Sequence, residues 1–378
     1  MLRFPATVPG QDATAFLDLH WQKAPLWLPS AADPGTLPGI EPDELAWLAT
    51  LQDVESRLVT TEKRAERSFY RVETGPFGAR RLESLPTRNW TLLIQDAEKH
   101  LPELRRYFDL VPFVPDWRID DLMISVAAPG GSVGPHVDNY DVFLVQISGQ
   151  RQWHWTTETV ATDRQASDQL RLVKPLPGAT SQVAKPGDIL YLNPGVAHHG
   201  IAGDLCVTCS IGMRAPQVSE LSGRALDSED GFYSDPDLGI GEAGPGYISP
   251  AAIKRAARLL DQHGFDNKNA DVMLGRFATE PKEWLHPDAP DTTHVTHEPL
   301  EIHGMARVAW SDHWIFANGR SITLPPGGGE RVAALAASRR IDASELAAWR
   351  ASPELSATLD WLWSAGLFDP GNGDPDLT

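Results

Sequence analysis

At 378 residues the chain is too long for one ordinary core and is expected to divide into two or three domains, and its 42% hydrophobic content is that of a globular protein. Its 51 acidic side chains against 33 basic ones give a formal charge of −18, a field that repels nucleic acid and attracts basic partners. The opening Met1-Leu2-Arg3-Phe4-Pro5 lacks the apolar core of a secretory signal, and no apolar run approaches the roughly 18 residues of a membrane helix, so a soluble, cytoplasmic protein is expected.

From about residue 11 to 110 the pattern is mainly helical with some strand. Asp12 can cap a turn carrying Phe16 and Leu17, and Leu45, Leu48, Leu51 and Val54 recur at helical spacing. From Asp121 to about Arg214 the texture changes to short β runs at 122–127, 142–147, 152–156, 189–192 and 206–212, separated by turns bearing Gly and Pro. Many short strands with tight turns predict a sandwich or barrel. Cys206 and Cys209 fall in the last run; three apart on a strand they face opposite ways, so they read as buried thiols rather than a redox pair or half a zinc site.

Residues 215–285 turn helical again. One segment opens with Ser249 as cap and Pro250 at its first position, carries Ile253, Ala256, Leu259 and Leu260 on one face, and closes at Gly264. Its apolar stripe requires a partner surface. Beyond a polar linker near 287–299 comes a compact tail with a hairpin over 306–318 and a helix near 331–338. A second helix is capped by Asp342 with Glu345 in the capping-box position, and a third opens at Ser352-Pro353 and closes at Gly366. Two short strands and three helices predict a winged-helix-like domain. The expected domains are therefore 1–214, 215–285 and 286–378.

The chemistry concentrates in Gly134-Pro135-His136-Val137-Asp138 and, 60 residues beyond that aspartate, Pro194-Gly195-Val196-Ala197-His198. Strand residues i and i+2 point the same way, so His136 and Asp138 can project together. Two histidines and a carboxylate on one face of an octahedral metal leave three positions open, a set suited to ferrous iron with a co-substrate and dioxygen. The isolated H-x-D pattern is weak, and its ordinary reading is a surface histidine beside a carboxylate. The Gly/Pro turn before it, the β run after it and the second histidine behind another turn-bounded strand carry the metal reading.

His198 and His199 compete for the third place, because neighbouring strand residues point apart. Asp141, at odd separation from His136, is a poorer ligand than Asp138. Arg151 follows the turn Ser148-Gly149-Gln150, and its fork suits the far carboxylate of 2-oxoglutarate, although an arginine after a turn is more often a solvated charge. Asp121, Met123 and Ser125 alternate and share a strand face. An aspartate buried there calls for a cationic partner, which a substrate arginine would supply; a strand-end aspartate in water is the plainer alternative.

Trp117-Arg118-Ile119-Asp120-Asp121-Leu122-Met123-Ile124-Ser125, Gly134-Pro135-His136-Val137-Asp138-Asn139-Tyr140-Asp141-Val142-Phe143, Pro186-Gly187-Asp188-Ile189-Leu190-Tyr191 and Pro194-Gly195-Val196-Ala197-His198 together resemble the bacterial JmjC-type ribosomal oxygenases. These are 2-oxoglutarate-dependent arginine hydroxylases of large-subunit ribosomal protein sixteen. Phe16, Trp21, Lys23 and Pro25 resemble the family's opening helix, Tyr233-Ser234-Asp235-Pro236 its middle and Phe316-Ala317-Asn318-Gly319 its tail, so the resemblance spans nearly the whole chain.

The resemblance implies an α+β architecture: a JmjC/cupin double-stranded β-helix with N-terminal helices, a helical dimerisation module and a C-terminal winged-helix-like domain. It implies Fe(II) on His136, Asp138 and His198, 2-oxoglutarate on Arg151 with Ser125 as a further contact, and O2 as the other co-substrate. Asp121, Met123 and Tyr140 fall in the implied substrate-arginine pocket, and the implied partners are a basic ribosomal protein and a second copy of the chain. Three positions depart from the family: His199 stands in place of an acidic residue, Ala197 in place of proline, and Gln150 where a basic residue is common.

The implied reaction is hydroxylation at the β-carbon of arginine, coupled to cleavage of 2-oxoglutarate to succinate and carbon dioxide. Three alternatives stand beside it: a JmjC hydroxylase acting on another residue such as histidine, a non-enzymatic cupin regulator whose tail reads DNA, and a metal-dependent cupin isomerase. Direct DNA binding is not expected, because residues 286–378 carry 13 acidic and 6 basic side chains, a net −7, and DNA readers present a basic face. An isomerase would turn over without consuming oxygen or 2-oxoglutarate.

Overall fold

The computed structural model describes residues 12–65, 67–167, 170–176, 178–224, 231–282 and 299–369. The opening pentapeptide and most of the linker expected near 287–299 lie outside the described residues. The chain divides into two compact units, Met1–Pro112 with Ile119–Met213, and Phe113–Arg118 with Arg214–Thr378. Among the described residues no helix is long and apolar enough to cross a membrane.

The strands of the first unit are β1 (Leu26–Leu28), β2 (Ser56–Arg64), β3 (Arg67–Thr74), β4 (Trp90–Ile94), β5 (Ile119–Ala127), β6 (His136–Val137), β7 (Val142–Ser148), β8 (Arg151–Thr156), β9 (Thr180–Ala184), β10 (Ile189–Leu192), β11 (Ala197–Ala202) and β12 (Cys206–Met213). They form a larger sheet in the order β1-β10-β7-β12-β5-β4-β2-β3 and a smaller one in the order β6-β11-β8-β9. Val142, Leu144, Leu190 and Leu192 of the larger sheet share one buried core with Trp153, Trp155 and Ala184 of the smaller, so the two sheets face each other. This is the two-sheet, short-strand architecture that the turn spacing predicts. Cys206 and Cys209 are buried free thiols, Cys206 against Ala127 and Ala202.

The larger sheet's other face is covered by the N-terminal helix Ala13–Leu19, whose cap Asp12 accepts from the Ala15 amide at 2.9 Å. Fully buried Phe16 meets Tyr191 edge-on at 4.9 Å and Phe143 at 5.7 Å, while Trp21 stacks on Tyr191 at 6.1 Å. Buried Asp141 anchors this layer, accepting from Gln22 Nε2 at 2.7 Å and from the Tyr191 hydroxyl at 2.5 Å.

The strand content expected within the mainly helical 11–110 amounts to four strands, β1 to β4. The helix Pro42–Leu48 stops before Leu51 and Val54, although both continue its spacing. Beyond it, runs rich in Thr, Val, Tyr and Phe pair as a hairpin from Arg57↔Thr74 to Arg64↔Arg67, and β4 joins that hairpin to β5. β9 escaped the sequence reading because it is exposed at four of its five positions, and β11, read only at His198 and His199, runs on to Ala202 with a single β-branched residue, Ile201.

In the second unit the Ser249 hydroxyl caps the helix Pro250–Gln262 by accepting from the Ala252 amide at 3.1 Å. Of the stripe Ile253, Ala256, Leu259 and Leu260, the last three find their partner within the unit, in a core with Ala252, with Leu274 and Ala278 of the helix Ala270–Thr279 and with Ala309 and Phe316, while Ile253 is half-buried against it. The expected hairpin is a three-stranded sheet, Val308–Trp310, Trp314–Ala317 and Arg320–Thr323, followed by helices Gly328–Ser338, Ala343–Trp349 and Pro353–Ser364. Asp342 accepts from the Glu345 amide at 2.9 Å, the cap that the sequence announces.

Replacing Asp141 by alanine removes the carboxylate that accepts from both the Gln22 side-chain amide and the Tyr191 hydroxyl. Asp141→Ala should lower unfolding free energy by about 3 kcal/mol, read by urea denaturation.

Candidate metal centre

The smaller sheet assembles the site by register. β11 pairs antiparallel with β6 so that His198 lies directly opposite His136, and with β8 so that His198 opposes Trp155, His199 opposes His154, and Ala202 opposes Arg151. Alternation along β8 buries Arg151, Trp153 and Trp155 while Gln152 is exposed. His198 therefore shares the inner face, 6.2 Å from the Trp153 ring, and His199 shares the outer face, 6.3 Å from His154.

His136, Asp138 and His198 converge, with their potential ligand atoms all within 4.8 Å of one another. An Asp138 carboxylate oxygen lies 3.7 Å from His136 Nε2 and 3.6 Å from His198 Nε2. Each imidazole donates its Nδ1–H to a backbone carbonyl, His136 to Gly134 at 2.9 Å and His198 to Val196 at 3.0 Å, so Nε2 is left as the bare lone pair on both rings. Burial, followed by the proximity of the His136 imidazole, pulls the His198 pKa down to about 4, which keeps that ring neutral near pH 7.

Gly134 holds φ +85°, a conformation that favours glycine, and a Cβ there would press on Leu172 and Tyr70 at 3.0 Å. The Gly195 amide donates to the Asp138 carbonyl at 2.9 Å, tying the two ligand-bearing turns together. Two imidazoles and one carboxylate fit a divalent transition metal with open positions.

Arg151 is 6% exposed, and its Nε and Nη2 are buried without a hydrogen-bond partner. Its guanidinium carbon lies 5.7 Å from the centre of the Trp153 ring. The solvated arginine that the turn suggested is thus a buried cation, because its strand begins at Arg151 itself. Ser125 is buried on β5 opposite Thr208, its hydroxyl 3.5 Å from the Thr208 carbonyl.

Thr208 and Gln146, which the sequence reading did not single out, are both buried and joined by a 3.0 Å hydrogen bond from Thr208 Oγ1 to Gln146 Oε1. Their signal is a polar residue inside an otherwise apolar strand run. Asp141, engaged with Gln22 and Tyr191, is not part of the cluster.

Asp121 is buried and accepts from Gln95 Nε2, while Gln95 Oε1 accepts from Arg57 Nη2 at 3.3 Å. The strand-end aspartate in water is thereby set aside. Met123 is half-buried against Leu93, Tyr70 and Leu172. Tyr140 is 40% exposed, and burial of the remainder, with the charges of Asp138, Asp121 and Asp120, pushes its phenol well above the usual range. A separate cavity of about 220 Å³, lined by Leu37, Ile40, Tyr107, Val145 and Ile147 among others, includes none of the triad, Arg151 or Asp121.

The model of the JmjC domain matches residues 108–221, which carry all three converging groups. The chain is 34% identical over 330 residues to the ribosomal protein uL16 3-hydroxylase of Escherichia coli (strain K12), covering 82% of this chain and 85% of that relative. An X-ray structure of E. coli YcfD matches at TM-score 0.72 and 29% identity over 95% of this chain and 98% of the other. The structure of YcfD as a ribosomal oxygenase in complex with cobalt and 2-oxoglutarate matches at TM-score 0.67 and 30% identity, with the same coverage. Fold and site together define a JmjC-domain protein. Within that class, the chain belongs to the family of ribosomal oxygenases.

Cobalt at about one hundred times its Kd should stabilise the protein by about 2.7 kcal/mol. His198→Ala should abolish that increment in thermal melts with and without the ion.

Proposed function

We propose that this chain is an Fe(II)- and 2-oxoglutarate-dependent oxygenase that hydroxylates the β-carbon of an arginine in a large-subunit ribosomal protein. The observation that carries the reading is the combination, on one inner sheet face, of the His136–Asp138–His198 cluster with a buried arginine whose two donors lack a partner. Unpaired donors on a permanent buried cation are costly, and a carboxylate arriving with the ligand relieves that cost. Ala202, opposite Arg151, lies four residues from His198, about 13 Å along the strand. An arginine side chain and a five-carbon dicarboxylate together fill such a span.

In this reading His136, Asp138 and His198 hold the iron, which supplies the coupled oxidation of 2-oxoglutarate and substrate by dioxygen, giving succinate, carbon dioxide and the hydroxylated side chain. Arg151 grips the distal carboxylate through Nε and Nη2, and the Ser125 hydroxyl offers a further contact. Trp153 and Trp155 wall the inner face against water. Asp121, oriented by Gln95, receives the substrate guanidinium, Met123 lies along its methylenes, and Tyr140 closes the pocket. The −18 charge draws in a basic ribosomal protein. The same reading makes the chain a cytoplasmic homodimer joined through residues 215–285, with a winged-helix-like tail over 286–378 that does not read DNA.

Anaerobic loading with iron and 2-oxoglutarate, then admission of oxygen with an arginine-bearing peptide of the ribosomal protein, should add one oxygen atom to the arginine, located by fragmentation mass spectrometry. His136→Ala should yield none; equal yield would remove the assigned centre, and oxygen on a histidine would favour the alternative substrate. Arg151→Ala should raise KM for 2-oxoglutarate on the order of a hundredfold. Asp121→Asn should raise the peptide KM about tenfold while leaving that for 2-oxoglutarate unchanged.

A further inference from the structure

We propose that His199, which faces away from the cluster, is a positioning residue that orients the ligand His136 from outside the metal site. The inference rests on the proposed metal centre but not on the identity of the substrate. Three hydrogen bonds connect the two side chains. His199 Nε2 lies 3.0 Å from the Ser132 hydroxyl. That hydroxyl accepts from the Gly134 amide at 3.0 Å. The Gly134 carbonyl in turn accepts the Nδ1–H of His136 at 2.9 Å, the bond that presents Nε2 to the cluster.

Ser132 is 3% exposed and is the hub of this chain. Its carbonyl accepts from Thr61 Oγ1 at 3.4 Å, and the Tyr70 hydroxyl bonds its side chain, so the turn 132–134 is braced from β2 and β3 as well as from β11. One strand thus serves both histidine ligands: β11 turns His198 inward as a ligand and uses the next residue, on its opposite face, to clamp the turn that carries the other. The competing use of His199, as half of an outer-face metal site with His154, lacks a third ligand. Among the described residues the only cluster of three metal-binding groups is the inner one. In addition, the Nε2 that such a site would use is already engaged by Ser132.

Groups that orient a metal's ligands typically govern affinity by ten- to a hundredfold. The test is cobalt titration of the metal-free, full-length chain, followed by visible absorption with chelator competition, alongside thermal melting of each variant. His199→Leu and Ser132→Ala should each weaken cobalt binding about tenfold or more. His199→Gln, whose amide nitrogen reaches a position similar to Nε2, should bind close to wild type, and the double variant Ser132→Ala with His199→Leu should bind no more weakly than the weaker single variant.

Unchanged affinity in His199→Leu, with or without a lowered melting temperature, overturns the inference, as does His199→Gln binding as weakly as His199→Leu, or losses that add in full. If His199→Leu does not fold, Ser132→Ala, which deletes one oxygen atom, decides: wild-type affinity there overturns the proposal. A wild-type chain that fails to bind cobalt overturns both this inference and the proposed centre. A wild-type chain that binds cobalt, with variants that bind equally well, overturns this inference alone.

Discussion

The site depends on the two-residue pairing of β6 with β11. Among the described residues the β-partners of His136 and Val137 are His198 and Ala197 on one side and, for His136, Leu172 on the other. Side chains alternate along a strand, so a slip of one residue in either partner would turn one histidine out of the cluster. That register is protected by groups that cannot easily shift: Gly134 in its left-handed turn, the Gly195 amide on the Asp138 carbonyl, and Asp141 locked between Gln22 and Tyr191. The metal-binding geometry is therefore a property of turns and register more than of the three side chains themselves.

The same register sets the distance between the cluster and Arg151. β8 presents Arg151, Trp153 and Trp155 on the face that β11 lines with His198, Gly200 and Ala202. Gly200 lacks a side chain where a Cβ would lie 2.6 Å from the Trp153 ring, so the indole can pack flat against the strand between cation and cluster. A buried cation with two unpaired donors violates the rule that folded chains satisfy their polar groups, and such violations concentrate where a ligand completes the structure.

Much of this site is legible in the sequence because its information is local. Alternation joins His136 to Asp138, and the Gly/Pro turns announce the ligand loops. The choice between His198 and His199 was not local: either residue could face inward until the pairing with β8 fixed which side carries Trp153 and Trp155. Taken alone, Arg151 reads as a solvated turn arginine, because nothing local in the sequence reports that its side chain faces the core between the two sheets. The mainly helical reading of the stretch before Asp121 left its strands unplaced for a related reason. Leu45 to Val54 keep helical spacing past the true end of the helix, and the hairpin 56–74 becomes a strand pair by joining β4. Tyr140 and the division of labour in the proposed substrate pocket came from family resemblance, not from spacing. Gln146 and Thr208 were hidden inside apolar runs, where a lone polar residue carries no periodic signal.

The most direct test of the account is an anomalous diffraction map of crystals of this chain grown with cobalt and 2-oxoglutarate. The account predicts one strong peak bonded to Nε2 of His136, Nε2 of His198 and a carboxylate oxygen of Asp138, with the keto-acid's far carboxylate on Nε and Nη2 of Arg151. A peak held by other residues, or a keto-acid bound away from Arg151, would contradict it.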